Sequence, residues 1–545
     1  MTEYPNPLIP GFNPDPSVVK VGDDYYIVTS TFEYLPGIPV YHSTDFVTWS
    51  QIGNVITRME QAELENVVTA GGVWAPTIRY RDGLFYVIVT IAMGRGCMLY
   101  TATDPAGRWS DGIVLEGIEG IDPDLNWDDE GTAYVTFSGL ITKGPDLGKH
   151  LGIQQVKVDL VKGVALEEPR SLWAGTGLKF PEAPHLYRRG EFWYLMIAEG
   201  GTERGHGESI ARGTSPEGPF EGFAGNPFLS ARSTNRPIQN TGHGDLVETP
   251  DGQTSIVLLG MRPRGGTQAF SALGRETFVS SIEWVDGWPV AQPVVLRPRA
   301  GSTSYALTFG AEGAVVESVS AGAASVPTPT PALDAAPVPV LDDGWLAIRR
   351  ETTSVASLTA RPGWLVIDSD GSTLDDPRPT FVGRRQLNQT AAFTTVVDAA
   401  GGTGGLAARY DEDHHYEIEV TGSEAGDAAG SAAGGAAGGE TGNRIVARAR
   451  LSGFEQTFEA TLPAGPVTLH LDSVNTGGGF SPRAMSSDRV LLWASVGDAV
   501  VHLADLDGRY LTAETAASFT GRVVGLYATA GSVAFSSFDY VGSED

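Results

Sequence analysis

The stretch GFNPDPSVVKVGDDYYIVTST, residues 11–31, sets Asp15 between two prolines and, eight residues later, opens a Gly-Asp-Asp turn into an apolar, aromatic strand. The same turn and strand return as RDGLFYVIVT from Arg81, DEGTAYVTFS from Asp129, RGEFWYLMIA from Arg189 and PDGQTSIVLL from Pro250. Successive turns lie 48 to 61 residues apart, the length of a four-stranded propeller blade, so five blades are expected. Between them, short runs rich in Val, Ile, Tyr, Phe, Trp and Thr are cut by Gly, Asp, Asn or Pro, with no sustained 3.6-residue apolar period. The fold class is therefore all-β.

Counting back eight residues from the turn positions Asp23, Asp82, Glu130, Gly190 and Asp251 lands on Asp15, Trp74, Asp122, Glu182 and His243. If each segment is the innermost strand of its blade, equal register sets these five side chains at one height around the axis. Taken singly, an Asp beside a Pro is usually a turn former, Glu182 a surface acid and His243 a hydrogen-bonded core histidine. A repeated structural position should keep one residue type, however, and these five differ. Three carboxylates are thus expected to converge on one cavity from three blades.

Composition narrows the partners. With 37 basic against 66 acidic residues the net charge is −29, which repels phosphate backbones and anionic lipid heads, so neither nucleic acid nor a membrane is an expected partner. The opening MTEYPNPLIPGFNP has no basic region followed by an apolar run, and Cys97 is the sole cysteine, so no intramolecular disulfide can form. A reducing, cytoplasmic setting is expected.

Two separated carboxylates in a concave site suit glycosidic cleavage, one protonating the leaving oxygen while the other activates water or attacks carbon. Two-metal sites need more His or Asp ligands than the register supplies, so no metal ligands are assigned. The motifs FNPDPS, GGVWAPTIRY, IDPDLNWDDEG, KFPEAPHLY, GHGDLVETPDG and LGRETFV together resemble glycoside hydrolase family 43, in the branch of β-xylosidases and α-L-arabinofuranosidases with an appended sandwich domain. The resemblance implies a five-bladed propeller, inversion at the anomeric carbon, Asp15 as general base, Glu182 as general acid, and Asp122 as the third carboxylate that orients the acid and raises its pKa. It also implies that Arg275 binds hydroxyls of the terminal sugar, against the alternative of a surface pair with Glu276. His243 resembles the family's axial histidine, near which some members hold a Ca2+ or other cation; no cofactor is otherwise required. Phe32 and Trp74 are candidate walls for the apolar faces of a sugar, with core packing the alternative for Phe32.

The propeller is expected over residues 1–300, a connector over 301–342 containing the Pro/Ala/Ser-rich stretch 317–339, and a β-sandwich over 343–545 that resembles the family's concanavalin-like module. The Gly/Ala-rich stretch 424–442 is expected to be a disordered hairpin tip. Phe519 is a candidate lid residue over the propeller mouth, with a place in the sandwich core as its alternative. The expected substrate is a short β-1,4-xylo-oligosaccharide cut from its end, with an arabinosyl substrate as the alternative. A non-catalytic carbohydrate-binding propeller would have lost the acids. The five-bladed fructan hydrolases differ at Ile121-Asp122 and Glu182-Ala183. The sandwich offers faces for a homodimer or tetramer.

Overall fold

Five antiparallel sheets take their innermost strands from Ser17–Val21, Gly72–Arg81, Ile121–Trp127, Glu182–Arg189 and Gln239–Glu248, and each of these strands neighbours the next around a closed ring. The computed structural model describes residues 3–142, 144–299, 301–310, 313–316, 340–422, 442–477, 480–516 and 518–544. Each innermost strand runs through a short turn into a more apolar second strand, as Val21 pairs with Asp24 across Gly22-Asp23. Gly22 there has a φ of +63°, a conformation that a Cβ would strain. The architecture is a five-bladed propeller, followed by a concanavalin-like sandwich.

The propeller core is divided into slabs between adjacent blades, because each sheet is apolar on both faces. Val28, Val40, Val87 and Met98 fill the space between blades one and two; Leu99, Leu125 and Val156 that between two and three. Ile153 meets Leu195 and Ile197 between three and four, and Met196 meets Ile256 and Phe278 between four and five. The ring closes through the N-terminal segment: Asn6 and Ile9 form bridges to Arg297 and Thr277, while Leu8 and Ile9 pack with Ile27, Trp49 and Val257 between blades five and one.

A cationic plug crosses the axis. Arg79, from blade two, donates to Asp124 Oδ1 at 2.6 Å and to Asp245 Oδ2 at 2.8 Å, and reaches Ser17 Oγ at 3.2 Å and His185 Nδ1 at 2.9 Å. Since guanidinium can only donate, the His185 Nδ1 accepts. Tyr187 Oη and Ser17 Oγ complete the Asp245 carboxylate at 2.6 and 2.7 Å.

The chain divides into two units, Met1–Arg262 with Arg275–Pro298, and Pro263–Gly274 with Arg299–Asp545. The connector expected over 301–342 differs from the structure at its start, where Thr303–Gly310 is a strand of the second unit paired to Ser537–Ser543. Its alternating apolar residues Tyr305, Leu307 and Phe309 are buried there, which outweighs the Ser- and Gly-rich flanks. The stretch 317–339 lies outside the described residues, as does nearly all of 424–442. In the second unit, two sheets enclose Trp345, Phe393, Leu406, Leu469 and Phe538. The strand Val523–Phe535 serves both: its first half pairs with Phe381–Arg385 and Gly402–Asp411, its last residues with Trp364–Asp368.

Replacing Arg79 by Met should strand two buried carboxylates and cost about 3–5 kcal/mol of propeller stability. A urea titration followed by tryptophan fluorescence checks this; a loss below about 1 kcal/mol would mean that the plug is not what holds the blades.

Candidate active site

One end of the central channel is built from irregularities in the innermost strands. The ladder of blades two, three and four breaks between Trp74 and Thr77, Ile121 and Asp124, and Glu182 and His185, each break leaving two residues out of register. The first bulged residue has a positive φ in every blade: Asp15 54°, Ala75 44°, Asp122 54°, Ala183 50° and His243 53°. In four blades a proline follows it, at a place where no ladder N–H is needed. The equivalent set is therefore Asp15, Ala75, Asp122, Ala183 and His243, which corrects the eight-residue register. Trp74 and Glu182 each stand one residue before the bulge, because the hairpins of blades two and four are one residue shorter by that count.

The bulges nonetheless bring the three acids into one electrostatic neighbourhood. Asp15 Oδ1 accepts from Arg275 Nη1 at 2.9 Å and its Oδ2 from Ser30 Oγ at 2.6 Å. Burial alone would raise the Asp15 carboxyl, but Arg275 and Ser30 outweigh it and hold it below the usual range. His243 Nδ1 stands 3.6 Å from Asp15 Oδ1, with its own pKa pushed down by burial to about 3, so it faces Asp15 as a neutral ring. Asp122 Oδ2 accepts from the Ala183 N–H at 3.0 Å, tying it to the backbone beside Glu182. Burial and the Asp15 charge raise Asp122, and burial with the charges of Asp122 and Asp15 raises Glu182 well above the ordinary carboxyl range. One site thus holds a carboxyl pushed down and another pushed up.

The binding candidates divide. Arg275 is buried, pairs with Asp15 and reaches Thr202 Oγ1 at 3.3 Å, while Glu276 pairs with Arg262 at 2.7 Å, so the alternative of a surface pair does not hold. Phe32 is buried, stacked on Phe12 with ring centres 5.8 Å apart, and has the Arg275 guanidinium over its face at 5.6 Å. Trp74 is partly exposed, meets Phe32 edge-on at 6.5 Å and donates from Nε1 to the Ala70 carbonyl at 2.8 Å. Phe519 lies in the second unit with 36% of its surface exposed, so it is not a core phenylalanine of that unit. Among the described residues no three His, Cys, Asp or Glu side chains group so as to hold a metal ion.

Sequence reasoning missed Ser30, Thr202, His206 and Glu208. The last three follow the doublet Gly200-Gly201, where Gly200 has a φ of +94° and a Cβ would meet the Gly205 carbonyl at 2.1 Å. That Gly-rich hairpin, GGTERGHGES, was the available signal.

The chain matches the family model described as Glycosyl hydrolases family 43 over residues 4–289, and that described as Beta xylosidase C-terminal Concanavalin A-like domain over residues 338–541. It belongs to glycoside hydrolase family 43. A non-reducing end alpha-L-arabinofuranosidase of Bacteroides ovatus is 34% identical, over 96% of this chain and 91% of that protein. A xylosidase/arabinosidase of Butyrivibrio fibrisolvens is 33% identical, over 76% and 79% respectively. Among solved structures, a xylan beta-1,4-xylosidase from Bacillus halodurans superposes with a TM-score of 0.80 at 26% identity, covering 99% of this chain and 100% of that one.

Because Asp15 is held down by Arg275, it stays ionised to low pH, and activity that needs the carboxylate is lost only as pH falls through that lowered value. Arg275→Ala should move the acid limb of kcat/KM upward by about one to three pH units. An acid limb that stays in place while KM alone rises would mean that Arg275 does not set the charge of Asp15.

Proposed function

We propose that this protein is an exo-acting, inverting hydrolase that releases xylose from the non-reducing ends of short β-1,4-xylo-oligosaccharides. The observation that carries the reading is the opposite displacement of two carboxyls in one electrostatic neighbourhood, Asp15 downward and Glu182 upward. A base must be ionised and an acid protonated at one pH, and this pair meets both conditions.

In this mechanism Asp15 takes a proton from a water molecule, which attacks the anomeric carbon while Glu182 protonates the departing oxygen. Bond formation and cleavage occur on opposite faces of the sugar, so the product has inverted configuration. Asp122 does not transfer a proton. Its carboxylate, fixed by the Ala183 N–H, raises the Glu182 pKa by like-charge repulsion and keeps the acid loaded. Arg275 and Thr202 offer donors to sugar hydroxyls, and Trp74 offers a partly exposed ring to an apolar sugar face.

A second reading, α-L-arabinofuranosidase, is favoured by the name of the Bacteroides ovatus relative, which spans nearly the whole chain. Both sugars would use the same acids, so the choice rests on the pocket walls. The buried lone Cys97 is compatible with a cytoplasmic enzyme acting on imported oligosaccharides.

Proton NMR of xylobiose hydrolysis tests the reading. Initial release of α-xylose by the wild type is expected, with kcat lowered at least about 10²-fold in Asp15→Ala and Glu182→Ala. Initial β-xylose would overturn inversion. No attack on xylobiose, with arabinose released from arabinosyl substrates, would establish the second reading.

A further inference from the structure

His206 lies on no innermost strand, yet its ring is fully buried beside the general acid, with Nε2 3.8 Å from Glu182 Oε1. The other ring nitrogen, Nδ1, is 2.9 Å from the Asn240 carbonyl oxygen. A carbonyl only accepts, so Nδ1 carries the hydrogen and Nε2 carries a lone pair. That Nε2 is buried and has no hydrogen-bond partner among the described residues, which is costly unless it is used. Room for the ring is made by Gly242, where a Cβ would come within 2.5 Å of His206 Cε1. A fixed tautomer, an orphan acceptor aimed at one carboxyl, and a neighbouring glycine that admits the ring are three independent observations on one residue.

We infer that His206 is a positioning residue for Glu182: its Nε2 lone pair gives the protonated carboxyl an acceptor and gives the ionised carboxylate none. In the free site the Glu182 O–H turns to Nε2; when a glycosidic oxygen arrives, it competes for that proton and receives it. This rests on Glu182 being the acid. The groups that face Glu182 are Asp122, Asp15 and Glu203, which favour its protonation, Arg275, which opposes it, and the buried Glu208, itself raised by burial and held through Oε1 by the Gly244 N–H at 2.8 Å. His206 is kept neutral by burial and by Arg275, its pKa lowered to about 4, so it adds an acceptor to this group without adding a cation.

The test uses His206→Asn, whose amide can still donate to the Asn240 carbonyl but removes the atom that faces Glu182. Without its acceptor Glu182 holds its proton less tightly, so the alkaline limb of kcat/KM should move to lower pH by about half to one unit. The rate on unactivated disaccharide should fall roughly tenfold, while the rate on the 2,4-dinitrophenyl glycoside, whose leaving group needs no acid, should change less than about twofold. An unmoved alkaline limb, or equal loss on both substrates, would overturn the inference in favour of a packing role. Nitrogen-15 NMR of histidine-labelled wild type is independent of how the variant folds. It should show Nδ1 protonated and Nε2 bare from about pH 5 to 8, and a protonated Nε2 would establish an ion pair with Glu182 instead. Glu182→Ala, run beside it, separates the two claims. A leaving-group split there but not in His206→Asn removes only the role of His206; no split in either removes the acid assignment and this inference with it.

Discussion

Every blade of the propeller meets one guanidinium. Arg79 leaves blade two and touches Ser17 of blade one, Asp124 of blade three, His185 of blade four and Asp245 of blade five. The carboxylates there are buried, and Asp245 is held well below the usual range against burial by Arg79. A buried ion pair of this kind contributes little net stability against an apolar core, but it is severe on any arrangement that leaves a partner unpaired. The plug therefore acts on specificity. Five sheets that could slide past one another on apolar slabs are locked at the register in which polar side chains of four blades meet the cation of the remaining blade.

That register sets the layer above it. The plug residues Ser17, Asp124, His185 and Asp245 each stand two positions beyond a bulged residue, so fixing them fixes Asp15, Asp122, Ala183 and His243. Side chains in left-handed conformation cost about 1 kcal/mol each, and the site keeps several. The two layers differ in how their charge is balanced. Below, Arg79 bonds directly to both carboxylates; above, Arg275 bonds to Asp15, and its charge opposes the rise of Asp122 and Glu182 without reversing it. One cation that bonds to Asp15 and only opposes the rise of the other two separates the pKa values of the three acids, which is the condition the proposed acid and base require.

The repeat, the class of fold and the three acids were legible because each leaves a local mark: a turn residue, an apolar run, an Asp or Glu at a recurring place. The register was off by one at Trp74 and Glu182 because it was counted from hairpin turns, whose strand lengths vary. The shared X-Pro of Asp15-Pro16, Ala75-Pro76, Asp122-Pro123 and Ala183-Pro184 was the better ruler, since proline marks the bulge itself. In the sandwich, strands such as GWLVIDS were plain, whereas Gly402–Asp411 was hidden by glycines that a strand usually avoids. Gly405 is required there because a Cβ would meet the Ile418 carbonyl at 1.9 Å. His206 and Thr202 were harder to place for a different reason: their Gly-rich turn is visible, but it joins Phe192–Glu199 to Gly207–Gly213 behind the innermost strand, and only closure of the ring brings them to the axis.

The charge balance also bears on what the cavity can accept. Asp15, held low, is ionised and matched by Arg275, Glu182 is pushed toward its protonated form, and burial keeps His206 and His243 neutral. Beside that matched pair Asp122, raised to about 7, is the acid left to carry charge in the upper layer, although the protein as a whole carries −29. A neutral sugar enters such a cavity by exchanging water for hydrogen bonds at little electrostatic cost. An acidic sugar would bring a second negative charge against Asp15 and Asp122, with Arg275 already engaged, and would have to be desolvated without a counter-ion. Under the proposed mechanism, the engagement of Arg275 that keeps Asp15 ionised thus also favours an uncharged substrate, so the proposed catalysis and recognition share one side chain.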